Sequence, residues 1–533
     1  MDTRPTPRVV VGKDAADAAP ADRSIPDLLR DAAARYGAAE FLRFPGTSLS
    51  FQEADARSER LARVLAARGV EPGDRVAVMM GNTPGWPLSW FAILKAGAVA
   101  VPVNPRLRAH DLGFVLRDSG ARSVLADDEH TGIVRAVASG LDPAPLVRTL
   151  ADLDAEARRS PAPPLEVRTR SDDVANFQYT SGTTGFPKAC VLTHDYWVRT
   201  AWLVAREAEV RTDDVVLMAQ PFSYMDDQWT AVMCLIAGIP LVVLPRFSAS
   251  GFWPAVREHR ATLTYVLGTM PLLMHKQPPD LSDAVNDMRL VLCSGIAPHL
   301  HRAFEERWGV PWREIYGSTE SGLDLVAAPG ADDTVGTGAM GYPPPGKEVR
   351  VAGPDGGTVP DGEVGEIVVR GRPMMTGYWN HPEATAEALA DGWYHTGDLG
   401  YRDPRGSIHH AGRLKDIVRR GGENISCAEV ESVLARHPAV VAAALVPIPD
   451  ELFGELPKAF VQLRAGHPAD TATARDLLDH ARERLAPFKI PAFVEFVDGF
   501  VMTPSERIRK RALLEPARDQ RSGCFDAATD SWK

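Results

Sequence analysis

Apolar residues in the first two thirds of the chain alternate between helical and strand-like spacing. Ser24-Ile25-Pro26 reads as a helix cap followed by a proline in the first turn, with Leu28, Leu29 and Ala33 on one face. A second amphipathic helix is predicted over Phe51–Arg68, where Ala54, Leu61, Val64 and Leu65 recur at helical spacing. Arg75–Met80 is almost wholly apolar, ends at Gly81-Asn82, and predicts a buried strand. A helix over Leu88–Gly97 and a strand over Ala98–Val103 follow, and further strands are predicted at Ser123–Ala126, Val215–Met218, Ile239–Leu244, Thr262–Leu267 and Leu290–Cys293. Strand and helix in alternation predict an α/β architecture of largely parallel sheets covered by helices.

The texture changes after Gly336. Val349–Val351, Gly365–Arg370 and Ser407–His410 are short strands between Gly, Pro and Asp turns, and predict a small β-rich subdomain. Beyond Gly412–Asp416, a helix at Cys427–Arg436, strands at Val440–Val446 and Lys458–Leu463, and a helix at Thr471–Leu485 predict a small α+β domain. The organisation expected is a flexible arm over 1–24, a large N-terminal domain over 25–413, a small C-terminal domain over 414–516, and a frayed tail over 517–533. No repeat of solenoid length is visible.

Composition narrows the class. The 533 residues are 45% hydrophobic and 24% charged, an ordinary globular balance, and the formal charge is -11 without a basic tract. That argues against nucleic acid or an anionic membrane as the main partner and leaves a small-molecule ligand. Five scattered cysteines without CxxC spacing argue against a disulfide framework or structural zinc. The polar first residues give no signal-peptide pattern. The most apolar stretch, Trp90–Val103, is short and carries Lys95, whereas a membrane helix needs about 20 apolar residues. A soluble, cytoplasmic protein is expected, with its oligomeric state, monomer or homodimer, left open.

The densest chemical signal is Tyr179-Thr-Ser-Gly-Thr-Thr-Gly-Phe-Pro-Lys188, after a strand expected at Ala175–Gln178. Gly182 and Gly185 allow close backbone approach to an anion, Thr180, Ser181, Thr183 and Thr184 add hydroxyl donors, and Lys188 adds charge. The order of residues is not that of a Walker A loop. The decapeptide resembles the phosphate-binding signature of the adenylate-forming superfamily, which includes acyl-CoA synthetases, peptide-synthetase adenylation domains and luciferases.

Further segments resemble that family in its order along the chain. Ser294-Gly295-Ile296 resembles the adenine-side loop, and Tyr316-Gly317-Ser318-Thr319-Glu320 the signature in which the aromatic stacks on adenine. The resemblance implies that Thr319 meets the α-phosphate, that Glu320 helps hold Mg2+, and that Asp398 and Arg413 hold the ribose. Lys415 falls at the hinge of a mobile C-terminal domain, and Gly421 and Gly422 in the loop bordering the acceptor tunnel. ATP and Mg2+ are the implied cofactors and CoA the implied acceptor. Texture is closest to crotonobetaine/carnitine-CoA ligase-like members. Activating an oxyacid in this way requires in-line attack on the α-phosphorus and departure of pyrophosphate, which positioning and charge neutralisation promote.

Two departures stand out. Arg507 occupies the position of the family's catalytic lysine, with Glu506 in place of the preceding glycine, and Lys510 follows three residues on as a conceivable stand-in. At the acyl pocket, Tyr224 takes the aromatic gate position and is followed by Asp226 and Asp227. Facing the pocket, these acids suit an amine, a quaternary ammonium or a polar aromatic ligand; facing water, they are ordinary first-turn residues of a helix. His194 and His395 are expected to cap or pack, and Cys190 and Cys427 to be small buried residues. The leading expectation is an ATP-dependent, AMP-forming acyl-CoA synthetase for a small oxyacid. The alternatives are a diazotase-type enzyme activating nitrite for transfer to an aromatic amine, and a nucleotide-binding pseudoenzyme.

Overall fold

A strand that is apolar at every position has to be covered on both faces, because successive side chains point to opposite sides. A computed structural model describes residues 8–11, 22–159, 163–180, 187–414, 416–420, 423–450, 452–502, 508–514 and 519–533. The chain divides into two compact units, Met1–Val349 with Val369–Tyr394, and Arg350–Val368 with His395–Lys533. In the first unit the described strands build two large sheets. One runs in the order Gly322–Val326, Trp312–Ser318, Leu290–Ser294, Leu263–Leu267, Val216–Met218, Leu241–Val243, Glu40–Phe44 and Thr47–Ser50. Its inner pairs are parallel, and the hairpin at each edge is antiparallel. The other runs Gly377–Tyr378, Lys188–Thr193, Val174–Thr180, Val99–Pro102, Arg75–Met79, Ser123–Ala126 and Leu146–Thr149.

Alternate residues of these strands enter different cores. Val216, Met218, Leu241 and Leu263 join a cluster that also contains Val76, Val78 and Leu125 from the second sheet. Their neighbours Leu217, Val242, Val266 and Val291 pack on the opposite face with Phe304, Trp308 and Trp312. Ala77, Met79, Val101 and Val124 line the outer face of the second sheet. Burial on both faces is why these strands lack a polar alternation in the sequence.

The expected helices form close to their expected bounds, at Ile25–Tyr36, Phe51–Ala67 and Gly85–Lys95. Ser24 caps the first, and a reciprocal Ser24–Asp27 capping box satisfies the free N–H groups there. Lys95 ends the third helix as a buried ion pair, its Nζ 2.6 Å from Asp55 Oδ1. Among the described residues no helix is long and apolar enough to cross a membrane.

In the second unit, Asp398–Arg402 pairs antiparallel with Ile408–Arg413. A further sheet runs Glu423–Ser426, Ile417–Arg420, Gly454–Leu463, Phe493–Phe496, Phe525–Asp526 and Ser531–Trp532, with Val440–Asp450 also pairing to Gly454–Leu463. Helices Cys427–Ala435 and Thr471–Arg482 cover it through Val430, Leu434, Leu477 and Leu478.

Two expected loose ends are ordered where they are described. Phe525 pairs with Val494 and is buried, so the tail expected to fray adds strands to the second unit's sheet. Within the expected arm, Val9 bridges Arg211 and Val11 is buried, because three successive valines supply strand-forming apolar surface.

Trp308 tests the outer core of the large sheet. It stacks between Trp253 at 4.9 Å and Trp312 at 5.3 Å between ring centroids. Trp308→Ala should destabilise the protein by about 3–5 kcal/mol in urea unfolding. A loss under about 1 kcal/mol, the range of surface changes, would show that the stack is not a packed core.

Candidate functional site

Parallel strands fix where a ligand goes, since in open α/β sheets ligands lie beyond the carboxyl ends of the strands. Three expected segments meet at that edge of the eight-stranded sheet. Ser294 ends the strand Leu290–Ser294, Tyr316–Ser318 end its neighbour Trp312–Ser318, and the helix Met225–Ala237 begins after the strand Val216–Met218. They enclose a cavity of about 60 Å³, whose walls include Thr200, Asp226, Trp229, Tyr265, Ser294 and Gly317.

The hairpin carrying Tyr316–Glu320 closes only around a glycine, because a Cβ on Gly317 would lie 1.8 Å from the Gly322 carbonyl oxygen. Ser318 and Ser321 share a hydroxyl hydrogen bond of 2.9 Å across the turn. Tyr196 Oη donates to the Thr319 carbonyl at 2.9 Å, and the Met375 N–H donates to the Glu320 carbonyl at 2.7 Å. Behind the turn lies Lys347, wholly buried, with Nζ 3.0 Å from Asp324 Oδ1. The same ammonium donates to the carbonyls of Ser321 and of Pro373. Burial pulls Lys347 down and pushes Asp324 up, and each charge opposes the shift of the other.

Lys188 and Glu320 are joined through a residue that carried no spacing signal. The Lys188 ammonium lies 4.6 Å from the Tyr378 ring centroid, and Tyr378 Oη donates to Glu320 Oε1 at 2.9 Å. Burial and then the Glu320 charge hold the phenol protonated. Thr180 faces Lys188 across the hairpin, its hydroxyl 3.4 Å from the Lys188 carbonyl. Ser181, Gly182, Thr183, Thr184 and Gly185, the body of the expected phosphate loop, lie outside the described residues.

The expected adenine-side loop is committed to its own support. Gly295, at φ +91°, and Ile296 donate their N–H groups to the Glu314 carboxylate at 2.6 and 2.9 Å. Desolvation pushes Glu314 up to about 7 against those two bonds. Ser294 Oγ accepts from Tyr265 Oη at 2.9 Å and donates to the Ile315 carbonyl at 2.7 Å. These donors hold the loop's shape rather than offering themselves to a nucleotide.

The two acids at the start of the helix Met225–Ala237 have different surroundings. Asp226 lines the cavity, and burial pushes its carboxyl up to about 7, with the Trp229 indole pulling it back. Asp227 is wholly buried, neither carboxylate oxygen has a hydrogen-bond partner among the described residues, and burial with the neighbouring Asp226 charge pushes it well above the usual range. The first turn is therefore divided, with Asp227 buried and Asp226 part-exposed at the cavity. Tyr224 caps the helix and its hydroxyl accepts from Asn104 Nδ2 at 3.1 Å.

A buried amide network links this helix start to the strand that leads into the phosphate loop. Trp90 Nε1 donates to Asn176 Oδ1 at 3.0 Å, and Asn176 Nδ2 donates to Gln228 Oε1 at 2.6 Å. Gln228 Nε2 donates to the Phe222 and Tyr224 carbonyls at 3.0 and 2.9 Å, and Gln178 Nε2 to that of Ser223 at 2.8 Å. The signal for it was present: Asn176 and Gln178 are amides inside an apolar strand, and buried amides need partners.

In the second unit, Asp398 pairs with Arg413 across the strands, Arg413 Nε lying 2.8 Å from Asp398 Oδ1. His395 is tied to Glu366 at 2.8 Å. Lys510, weighed as a stand-in for Arg507, is engaged elsewhere in its own unit, 2.7 Å from Glu431 and 3.4 Å from Asp416. Lys415, Gly421, Gly422 and Arg507 lie outside the described residues. His194 is buried in the first unit, accepts from the Ile25 N–H at 3.4 Å, and is pulled down to about 3 by burial. The five cysteines are free and buried.

Among the described residues no cluster of three or more His, Cys, Asp or Glu could hold a metal alone. Glu320 offers one hard carboxylate, which suits Mg2+ when phosphate oxygens and waters complete the set.

The two sheets, with their motif segments gathered at one edge, give the architecture of an adenylate-forming enzyme. The chain belongs to the AMP-binding enzyme family, whose pattern matches residues 29–379, and the AMP-binding enzyme C-terminal domain matches residues 429–507. It is 38% identical over 473 residues to a feruloyl-CoA synthase from Amycolatopsis sp, covering 88% of this chain and 94% of that protein. It is 31% identical over 493 residues to a crotonobetaine/carnitine–CoA ligase from Escherichia fergusonii, covering 87% and 92%. The crystal structure of ATP-bound MatB from Rhodopseudomonas palustris superposes with a TM-score of 0.84 at 29% identity, covering 93% of this chain and 99% of that one. The protein is thus an AMP-forming ligase of the acyl-CoA synthetase branch, using ATP and CoA.

Lys347→Met should destabilise the protein by about 3–5 kcal/mol in chemical denaturation, since it strands the Asp324 carboxylate in the core. A change within about 0.5 kcal/mol, the size of a surface effect, would show that the pair does not hold the turn.

Proposed function

We propose that the enzyme activates a small aromatic or unsaturated carboxylic acid and transfers the acyl group to CoA. The observation that carries this is the small cavity bordered at once by the Tyr316–Ser318 hairpin and by the helix start at Asp226. At about 60 Å³ it has no room for a long acyl chain. The name of the feruloyl-CoA synthase relative supports an aromatic acid.

In the first half-reaction a carboxylate oxygen attacks the α-phosphorus of ATP, the bond to the β-phosphate breaks, and pyrophosphate leaves. In the second the CoA thiol adds to the acyl carbonyl, AMP departs with the bonding electrons, and the thiol proton goes to solvent. Thr319 would meet the α-phosphate, and Lys188 with the Thr180–Gly185 loop the terminal phosphates. Glu320, held by Tyr378, would take Mg2+, which neutralises phosphate charge when bound. Tyr316 would stack on adenine, with Gly317 and Ser318 beside it and the Ser294–Ile296 loop alongside. Asp398 would accept from ribose hydroxyls, with Arg413 orienting it. Arg507 would supply charge between acid and α-phosphate, Lys415 the hinge between the half-reactions, and Gly421 and Gly422 the thiol path. A homodimer or a monomer serves this chemistry equally.

Pyrophosphate release should appear with ATP and one or more benzoic or cinnamic acids, and acyl-CoA should form when CoA is added. Silence across the acids, with release on adding nitrite and an aromatic amine, would replace the ligase with the nitrite-activating alternative. Silence under every condition would leave a nucleotide-binding pseudoenzyme. Arg507→Lys should keep or raise the rate of adenylate formation. A large fall would show that the guanidinium itself is required.

A further inference from the structure

A pocket for an anionic acid is an unexpected place for a second carboxylate, because like charges in a desolvated site repel. Asp226 occupies that place, sharing the cavity lining with the hairpin residues Gly317 and Ser318. Most of the remaining lining is apolar or aromatic, including Val204, Met225 and Trp229. The hydroxyls of Thr200, Tyr265, Ser294 and Ser318 are engaged with the protein. Thr200 Oγ1 donates to the Tyr196 carbonyl at 2.8 Å, Tyr265 Oη donates to Ser294 Oγ, and Ser318 is bonded to Ser321. Among the described residues no Lys, Arg or His contributes to the electrostatics of Asp226, where desolvation dominates and only the Trp229 indole opposes it. Asp226 is also held firmly, because the helix start that bears it is tied by Gln228 to the Phe222 and Tyr224 carbonyls.

We propose that Asp226 is a specificity-determining residue that accepts N–H hydrogen bonds from an amine on the substrate, at the end remote from the reacting carboxylate. The proposal rests on the ligase function above and names its substrate class: small amino-substituted carboxylic acids. Such an amine adds donors to the one that the Trp229 indole supplies, and a positive or partly positive nitrogen favours the ionised carboxylate that burial disfavours. An acid with a methyl group in the same place covers the part-buried carboxylate without adding a donor to that of Trp229, a loss larger than that of a missing apolar contact. The neighbouring Asp227 is outside the lining, so a single carboxylate meets the ligand.

The test pairs isosteric acids in the pyrophosphate-release assay: 3- and 4-aminobenzoate against 3- and 4-methylbenzoate, and 3-aminocinnamate against 3-methylcinnamate. The expected result is a kcat/KM at least about tenfold higher for one amino acid of the set than for its methyl isostere. In Asp226→Leu that ratio should fall to one or invert, and Asp226→Asn should lower it, while ATP binding by calorimetry stays as in the unsubstituted enzyme. Should the leucine variant fail to fold, the unsubstituted ratio and the asparagine variant decide. Turnover of these acids without amine preference, or a preference untouched by substitution, overturns the role of Asp226 and leaves the ligase function standing. Absence of pyrophosphate with every acid overturns both.

Discussion

A single buried ammonium holds the turn on which the site is built. Lys347 has no access to water, and its charge is balanced by Asp324 and by two backbone carbonyls, that of Ser321 in the turn and that of Pro373 from a separate segment. Taking both charges out of water costs several kcal/mol per ion, and only complete pairing and hydrogen bonding offsets it. The consequence is geometric. Ser321 cannot move without stranding the lysine, so the Ser318–Gly322 turn has one shape, and Thr319 and Glu320 are presented from it with their carbonyls already fixed by Tyr196 and Met375. A site that must position a phosphorus for in-line attack benefits from such rigidity, because misplacement by about 1 Å can cost 100-fold in rate.

The same logic of buried polar groups extends from the turn to the cavity. Asn176, Gln178 and Gln228 form a satisfied amide network between the strand leading to the phosphate loop and the helix that carries Asp226. A satisfied network specifies one arrangement, whereas a half-satisfied one costs stability. Asp227 is an exception, a wholly buried carboxylate without a hydrogen-bond partner among the described residues. Its folded carboxyl is raised, so it binds a proton that the unfolded chain releases, and its destabilising effect grows as pH rises above the ordinary Asp range.

Most of the fold was legible in the chain, for reasons that differ by element. Strands buried on both faces, such as Arg75–Met79 and Ser123–Ala126, stand out as apolar runs between turn residues. The first helix announces itself through Ser24 and Pro26. Pairing partners were not legible, because an apolar run states that it is covered and not by what. That is why Phe525 in the sheet and Val9 against Arg211 went against expectation. In the candidate site, motif resemblance singled out Thr319, Glu320 and Lys188, but Tyr378, which links the last two, lies far along the chain and carries no spacing signal. Spacing also left open which way Asp226 and Asp227 turn. That is a tertiary property, settled by the covering of the helix start, and it separates two adjacent residues of the same type.

The central claim is that the small cavity beside the Tyr316–Ser318 hairpin is where the acid is activated. A crystal structure with a non-hydrolysable acyl-adenylate analogue, an aminobenzoyl sulfamoyl adenosine, addresses it directly. The account predicts the aryl group within the cavity walls formed by Thr200, Trp229 and Tyr265, with its nitrogen within hydrogen-bond distance of Asp226 and its sulfamoyl group beside Thr319. An acyl group bound elsewhere, with that cavity unfilled and Asp226 untouched, would contradict it.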